Sequence, residues 1–249
     1  MGSALLTRWT AGPERFTVVD PACPALPKDV TVVAHRVELG KAQFDCIVAA
    51  VKPQVVDDVI PAYRKHLAVE GYVLSIAAGV QTSRLARLMD GAPVVRAMSN
   101  MPAQIGCGVS GLYAAADVTS AQCRHAQDMM KRAGSVVLMD EEDKIDRVTA
   151  VAGSGPGYVL EFTRTYVDAA MGQGFSPTEA RDMVLQTMLG SIKMAIASDT
   201  QTLADLRDSV TSKGGTTAAG LAALNRDGTL TRRMRETLQA CYDRAVELR

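Results

Sequence analysis

Four short stretches combine small, hydroxyl and cationic residues in orders that could do chemistry. In residues 210–221, VTSKGGTTAAGL, Ser212, Gly214, Gly215, Thr216 and Thr217 run straight into a helical pattern. Free backbone N–H groups and hydroxyl donors then converge at the positive end of a helix, a seat for a phosphate or carboxylate to which Lys213 adds charge. The same letters also make an ordinary capped interhelical loop, and pattern alone leaves both readings open. Residues 50–54, AVKPQ, set Ala50, Val51, Lys52 and Pro53 at the end of an apolar strand. In a doubly wound sheet the carboxyl ends of strands line the ligand crevice; otherwise Lys52 is simply solvated and Pro53 stops strand pairing. Ala77, Ala78 and Gly79, within SIAAGV, follow another strand and would let backbone approach a flat ring, though small residues are common there. Residues 150–162, AVAGSGPGYVLEF, open a helix with Gly153, Ser154, Gly155 and Pro156, which suits ligand approach and close helix packing equally.

Other chemistries find little support. Cys23, Cys46, Cys107, Cys123 and Cys241 contain no C-x-x-C pair, and His35, His66 and His125 are scattered, so neither a disulfide framework nor a metal site is expected. Lys plus Arg and Asp plus Glu both number 27, leaving no global positive field to favour nucleic acid or an anionic membrane. No apolar run reaches membrane-spanning length and the first residues lack a signal-peptide layout, so the expected location is the cytoplasm.

The elements that must position these stretches come in two textures. Up to about Met139, RFTVVD, DVTVVA, FDCIVAAV, GYVLSIA, APVVRAM and GSVVLM read as strands, with VVDDVIPAYRKHL, TSRLARLM and SAQCRHAQDMMKRAG as helices between them. The continuous Val, Ile and Ala of residues 46–51 suit a parallel sheet covered on both faces, hence a doubly wound α/β layer. From about Glu141 strands give way to helices, expected over residues 154–171, 176–198, 202–210, 215–224 and 229 to the end. The boundary is expected between Asp140 and Asp146, dividing the chain into residues 1–143 and 144–249. Ser176-Pro177-Thr178-Glu179 is a capping box with proline at the first helical position. The helix it starts carries Val184, Leu185, Met188, Leu189, Ile192 and Ile196, an apolar girdle broader than one stripe. About a hundred helical residues rarely bury so much alone, so a subunit interface is expected here.

Taken in order, AVKPQ, SIAAGV, VRAMSNMPAQIGCGVSGLY, VTAVAGSGPGYV and VTSKGGTTAAGLAAL resemble the pyrroline-5-carboxylate reductase family along essentially the whole chain. The resemblance implies a Rossmann-like nucleotide domain followed by an all-α dimerisation domain. It implies reduction of 1-pyrroline-5-carboxylate to L-proline by hydride from NADPH or NADH. It also implies homodimers, often grouped as a decamer, with the active site between a nucleotide domain and the helical loop contributed by the dimer. Carried over residue by residue, Gly2 is the last glycine of the dinucleotide fingerprint and Asp20 ends the second strand, near the spacing of an acid on the ribose 2′-hydroxyl. No arginine sits beside Asp20, a tilt toward NADH, while Lys28 could reach a 2′-phosphate, so the choice of nucleotide stays open. Ala50 to Pro53 and Ala77 to Gly79 flank the nucleotide, and Asn100 lies near the nicotinamide. Ser209, Thr216 and Thr217 fall on the substrate loop, where Thr217 is expected to contact the imine nitrogen and Ser212 with the N–H groups of residues 214–216 to hold the carboxylate.

Met1-Gly2-Ser3-Ala4-Leu5 matches only the end of the family's glycine-rich turn, so a first strand and two glycines are expected to be missing from this chain, through a late start codon or a truncated gene product. Ser99 and Met101 stand where the family usually has proline and threonine, Ala152 replaces a frequent serine, Lys213 the usual proline, and Arg164 a common acid; these bear on substrate affinity more than on reaction type. A related β-hydroxyacid dehydrogenase would need a catalytic lysine in the first long helix after the boundary, and residues 161–168 contain none. The other alternative is an inactive or weakly active remnant that keeps only the helical dimerisation function.

Overall fold

The computed structural model describes residues 1–247. They form two compact units: Met1–Pro156 together with the described residues from Gln239 on, and Gly157–Leu238.

The first unit opens with helix α1 (Gly2–Trp9), which buries Leu5, Leu6 and Trp9 at helical spacing. Two ladders follow. Strands β1 (Phe16–Val19) and β2 (Val30–Val33) pair in parallel, Phe16 opposite Val30 and Val19 opposite Val33. Strands β3 (Phe44–Ala49), β4 (Leu67–Ser75), β5 (Val94–Met98), β6 (Gly108–Ala114) and β7 (Gly134–Leu138) form a five-stranded sheet in that order. Alternation along the strands builds a core on each face. Tyr72, Leu74, Val95, Ala97 and Leu112 pack with α1 and with α4 (Ser120–Lys131) on one face. Val73, Val94 and Ala49 pack with Leu85 of α3 (Thr82–Leu88) on the other. Phe16, Val18, Val30 and Val32 join the first of these cores, so the two ladders share apolar packing although no backbone pairing links them.

Three expectations are corrected. The sheet is not all parallel, because β6 runs antiparallel to β5. The connecting residues 99–107, with a 3-10 turn at Met101–Ile105, are shorter than the dozen or so that a crossover to a parallel strand needs. VVDDVIPAYRKHL is not one helix but a 3-10 turn (Pro53–Val55), one α-turn, α2 (Val56–Val59), and a second 3-10 run (Ile60–His66). Pro61 has no N–H to donate and its ring crowds the preceding turn, so the α-helix cannot continue. Finally the helix expected from residue 154 is preceded by another that was not expected: α5 (Asp143–Val148) passes through a π-turn (Thr149–Gly153) into α6 (Gly155–Met171).

The second unit holds α6 from Gly157 on, α7 (Pro177–Ala197), α8 (Leu203–Ser209), α9 (Thr216–Leu224) and the first part of α10 (Thr229–Glu247), whose residues from Gln239 on belong to the first unit. Ser176 caps α7 with Glu179 in a reciprocal box, and Thr202 does the same for α8 with Asp205. Among the described residues of Gly157–Leu238 only Thr163, Ala180 and Val184 are buried, while Leu160, Leu189, Ile192, Met194 and Ile196 stand between 49% and 77% exposed. So broad an apolar surface marks an interaction face.

Candidate active site

Within the first unit Ala50 to Pro53, Ala77 to Gly79 and Asn100 follow the carboxyl ends of the neighbouring strands β3, β4 and β5, and Asp20 follows β1 in the separate ladder. Gly2 begins α1, and a Cβ built on it would come within 3.3 Å of the Ala50 Cβ, so the helix start lies directly against the residue that follows β3. Ala50 and Lys52 are exposed, Val51 and Pro53 half-buried, and Lys52 precedes the 3-10 turn that Pro53 opens. After β4, Ala77 is buried, Ala78 exposed, and Gly79 adopts φ +73°, a left-handed turn that favours glycine. Asp20 follows β1: its N–H donates to Val33 O (3.0 Å) and its Oδ1 accepts from Ala22 N (2.9 Å). These small residues and the bare start of α1 leave backbone donors open for a pyrophosphate and the adjoining rings, so the residues present fit a dinucleotide.

Asn100 is buried, and its carboxamide is engaged at both ends: Oδ1 accepts from Val109 N (3.0 Å) and Nδ2 donates to Ala152 O (3.1 Å). It thereby ties the turn after β5 to the π-turn. Beside it lies a cluster that sequence reasoning missed. Arg96, 1% exposed, reaches Asp146 at 2.6 Å and Glu142 at 3.3 Å, and Glu142 also accepts from the Thr82 N–H and hydroxyl, both at 2.7 Å. A buried arginine demands partners. The available signal was a cation inside an otherwise apolar strand, VVRAM. Two glycines allow the close approach: a Cβ on Gly111 would meet Val148 of α5, and one on Gly153 would meet Met98. The cluster thus fastens α5 and the π-turn to the ends of β5 and β6.

In the second unit, the loop Val210–Gly215 turns tightly through Gly214 at φ +73°. The Gly215 N–H donates to Ser212 O (3.0 Å), and a Cβ at Gly215 would meet the Ser212 hydroxyl, which would have to turn away. Gly215 is the N-cap of α9 and no side chain caps that helix, in contrast to α4, α7 and α8. Thr216 and Thr217 are its first two residues and both are exposed, as are Ser212 and Lys213. Ser209 ends α8 with its hydroxyl donating to Leu206 O (2.7 Å). The loop can therefore offer helix-end N–H groups and three hydroxyls to an anion. No group of three or more His, Cys, Asp or Glu side chains placed to hold a metal ion occurs among the described residues.

Residues 142–248 match the family model described as pyrroline-5-carboxylate reductase dimerisation. The pyrroline-5-carboxylate reductase of Pseudomonas aeruginosa is 39% identical over 220 residues, covering 88% of this chain and 80% of that protein. The chain belongs to the pyrroline-5-carboxylate reductase family. The reductase of Synechocystis is 35% identical over 100% of this chain and 94% of its own length. Among solved structures, a pyrroline-5-carboxylate reductase from Coxiella burnetii superposes with a TM-score of 0.89 at 29% identity, over 99% of this chain and 94% of that one. The Plasmodium falciparum pyrroline carboxylate reductase, solved with NADP bound, does so with a TM-score of 0.83 at 26% identity, over 100% of this chain and 94% of that one. The Rossmann-like unit and the helical dimerisation region are thus both features of the family to which this chain belongs.

Proposed function

We propose that this chain reduces 1-pyrroline-5-carboxylate to L-proline, with NADPH or NADH as hydride donor, in the last step of proline biosynthesis. The observation that carries the reading is identity of 35% along the entire chain to a curated pyrroline-5-carboxylate reductase. The dinucleotide supplies the hydride, and the imine nitrogen ends with a proton. The protein's part is alignment and polarisation of the C=N bond, which asks for no histidine or cysteine.

In this reading the α1 start at Gly2, Ala50 to Pro53, Ala77 to Gly79 and the turn at Asn100 hold the nucleotide, and Asp20 addresses the adenosine ribose. Because the Gly215 N–H is used inside its own loop, the substrate carboxylate falls to the N–H groups of Gly214 and Thr216 with the Ser212 hydroxyl. Thr217 Oγ1 donates to the imine nitrogen, and Ser209 shapes the loop from the end of α8. The exposed apolar faces of α6 and α7 pair with a second copy, with a decamer as the next level of assembly. No helix among the described residues is long and apolar enough to cross a membrane, and the reading places the enzyme in the cytoplasm.

One observation favours a second reading: β1–β2 and β3–β7 are separate ladders. On that reading the chain is a weakly active or inactive relative that retains the dimerisation region. Calorimetric titration with NADH and NADPH, followed by an assay for L-proline, separates the two: nucleotide binding with proline formation supports the enzyme, and dimerisation without either supports the remnant.

A further inference from the structure

We infer that Glu142 is a positioning residue for the nucleotide: α5 and the π-turn form a strut whose two ends fix the turn after β4 and the turn at Asn100. The inference rests on the reductase reading, which gives both turns to the nucleotide, and adds residues that touch neither nucleotide nor substrate. Residues 76–81 carry the chain from β4 to α3. Their entry is held by the Ile76 N–H donating to Ala49 O (3.1 Å), and Ala77 and Val80 are buried while Ala78 is exposed. Their exit has no local cap, because the Gln81 side chain makes no bond to the start of α3. The first N–H groups of a helix need partners from outside it. Glu142, 60 residues away, supplies one: the Thr82 N–H donates to its Oε1 and the Thr82 hydroxyl to its Oε2, both at 2.7 Å. Gly79, at φ +73° between these anchors, is therefore placed from the Glu142 side as well as from β4.

Glu142 is itself placed from behind. It is the N-cap residue of α5, and buried Arg96 reaches its Oε1 at 3.3 Å and Asp146, one turn further along α5, at 2.6 Å. On the outer side, the Tyr242 hydroxyl donates to Asp143 Oδ1 (2.9 Å), and the Arg147 guanidinium stands 5.3 Å from the centre of the Tyr242 ring. The same segment then enters the π-turn, where Ala152 O accepts from Asn100 Nδ2 at 3.1 Å. A π-turn gives up regular helix geometry and recurs at functional sites. Here it presents the carbonyl that holds Asn100. Thr82, Glu142, Arg96, Asp146, Ala152 and Asn100 thus make one connected path, and releasing Glu142 loosens both turns.

Titration of the full chain and its variants with NADPH and NADH, read as dissociation constants beside kcat at saturating nucleotide, tests the inference. Thr82→Val, which deletes one donor at nearly constant shape, and Glu142→Gln should each weaken nucleotide binding about tenfold and lower kcat as well. Thr82→Ser, which keeps the hydroxyl, should restore both to within about twofold. Amide exchange measured without nucleotide should quicken at residues 77–82 in Thr82→Val and Glu142→Gln. Leu112→Ala, a truncation in the core of the same unit, should lower Tm at least as far yet leave nucleotide affinity unchanged. Glu142→Gln combined with Asn100→Ala should weaken binding by less than the product of the single effects, because both release the same strut. A lowered Tm with unchanged affinity and kcat in Thr82→Val, or strictly multiplicative effects in the double variant, overturns the positioning role while leaving the reductase reading intact. Failure of the unaltered chain to bind either nucleotide overturns both.

Discussion

Replacing Arg96 by leucine should unfold the nucleotide unit far more readily than any surface change, because it removes the guanidinium from a buried carboxylate. Arg96 and Asp146 are each 1% exposed and 2.6 Å apart, whereas Glu142 is 22% exposed and keeps its two bonds from Thr82. Asp146 therefore loses a 2.6 Å guanidinium contact in the interior, while Glu142 loses a longer and more exposed one. Removing one partner of a buried ion pair costs about 3–5 kcal/mol, a large share of the roughly 5–15 kcal/mol that stabilises a domain. At about 2–4 °C per kcal/mol for a unit of this size, Tm should fall by roughly 6–20 °C. Trp9 is the chain's one tryptophan and is buried in the first unit's core. Its fluorescence during urea unfolding reports that unit specifically. Arg96→Leu combined with Asp146→Leu should recover much of the loss, since replacing both partners by apolar groups removes both charges of the pair. A loss below about 1 kcal/mol for Arg96→Leu, or strict additivity in the double variant, would refute the claim that these groups act as a buried pair.

Three further outcomes follow from named residues. Thr217→Val should lower kcat/KM about tenfold to a hundredfold with little change in nucleotide affinity, as expected for one hydrogen bond made in the transition state; unchanged turnover removes Thr217 from the mechanism. The chain should sediment as a dimer or larger at low micromolar concentration through its exposed helical faces, and a well-folded monomer there contradicts the interface. Glu14 is held below its ordinary pKa of 4.5 chiefly by its hydrogen bonds to Arg132, with His125 Nε2 also 3.4 Å away. A depressed acid stabilises the fold above its unfolded pKa and loses that contribution as pH falls through the folded value. Glu14→Gln should thus cost about 1–2 kcal/mol at pH 7, and urea titrations should show the gap closing as pH falls below about 4; a gap independent of pH sinks the assignment.

How much of this was readable without coordinates depended on whether the deciding physics was local. The start of α7 was legible because Ser176 and Glu179 sit within one turn of each other, whereas the matching box of Thr202 with Asp205 at α8 was not noticed. Leu5, Leu6 and Trp9 announced α1 by spacing alone. The strand β6 escaped because GVSGLYA is rich in small residues, and those glycines serve packing: Gly111 makes room for Val148 of α5. The Arg96 cluster joins residues up to 64 positions apart in a single knot, from Thr82 to Asp146, which no local pattern records. The loop Val210–Gly215 was readable as a possible anion seat but not as more. Its uncapped helix start and the Ser212 hydroxyl over Gly215 are set by the backbone turn at Gly214, which the letters alone do not specify.

The central claim is hydride transfer to a cyclic imine. Mixing the purified chain with 1-pyrroline-5-carboxylate and NADH or NADPH, and measuring nucleotide oxidation together with L-proline, puts it to the test. The account predicts one proline formed for each nucleotide oxidised, with loss of both in Thr217→Val exceeding any loss of nucleotide binding. A folded, dimeric chain that binds the nucleotide yet forms no proline would contradict it.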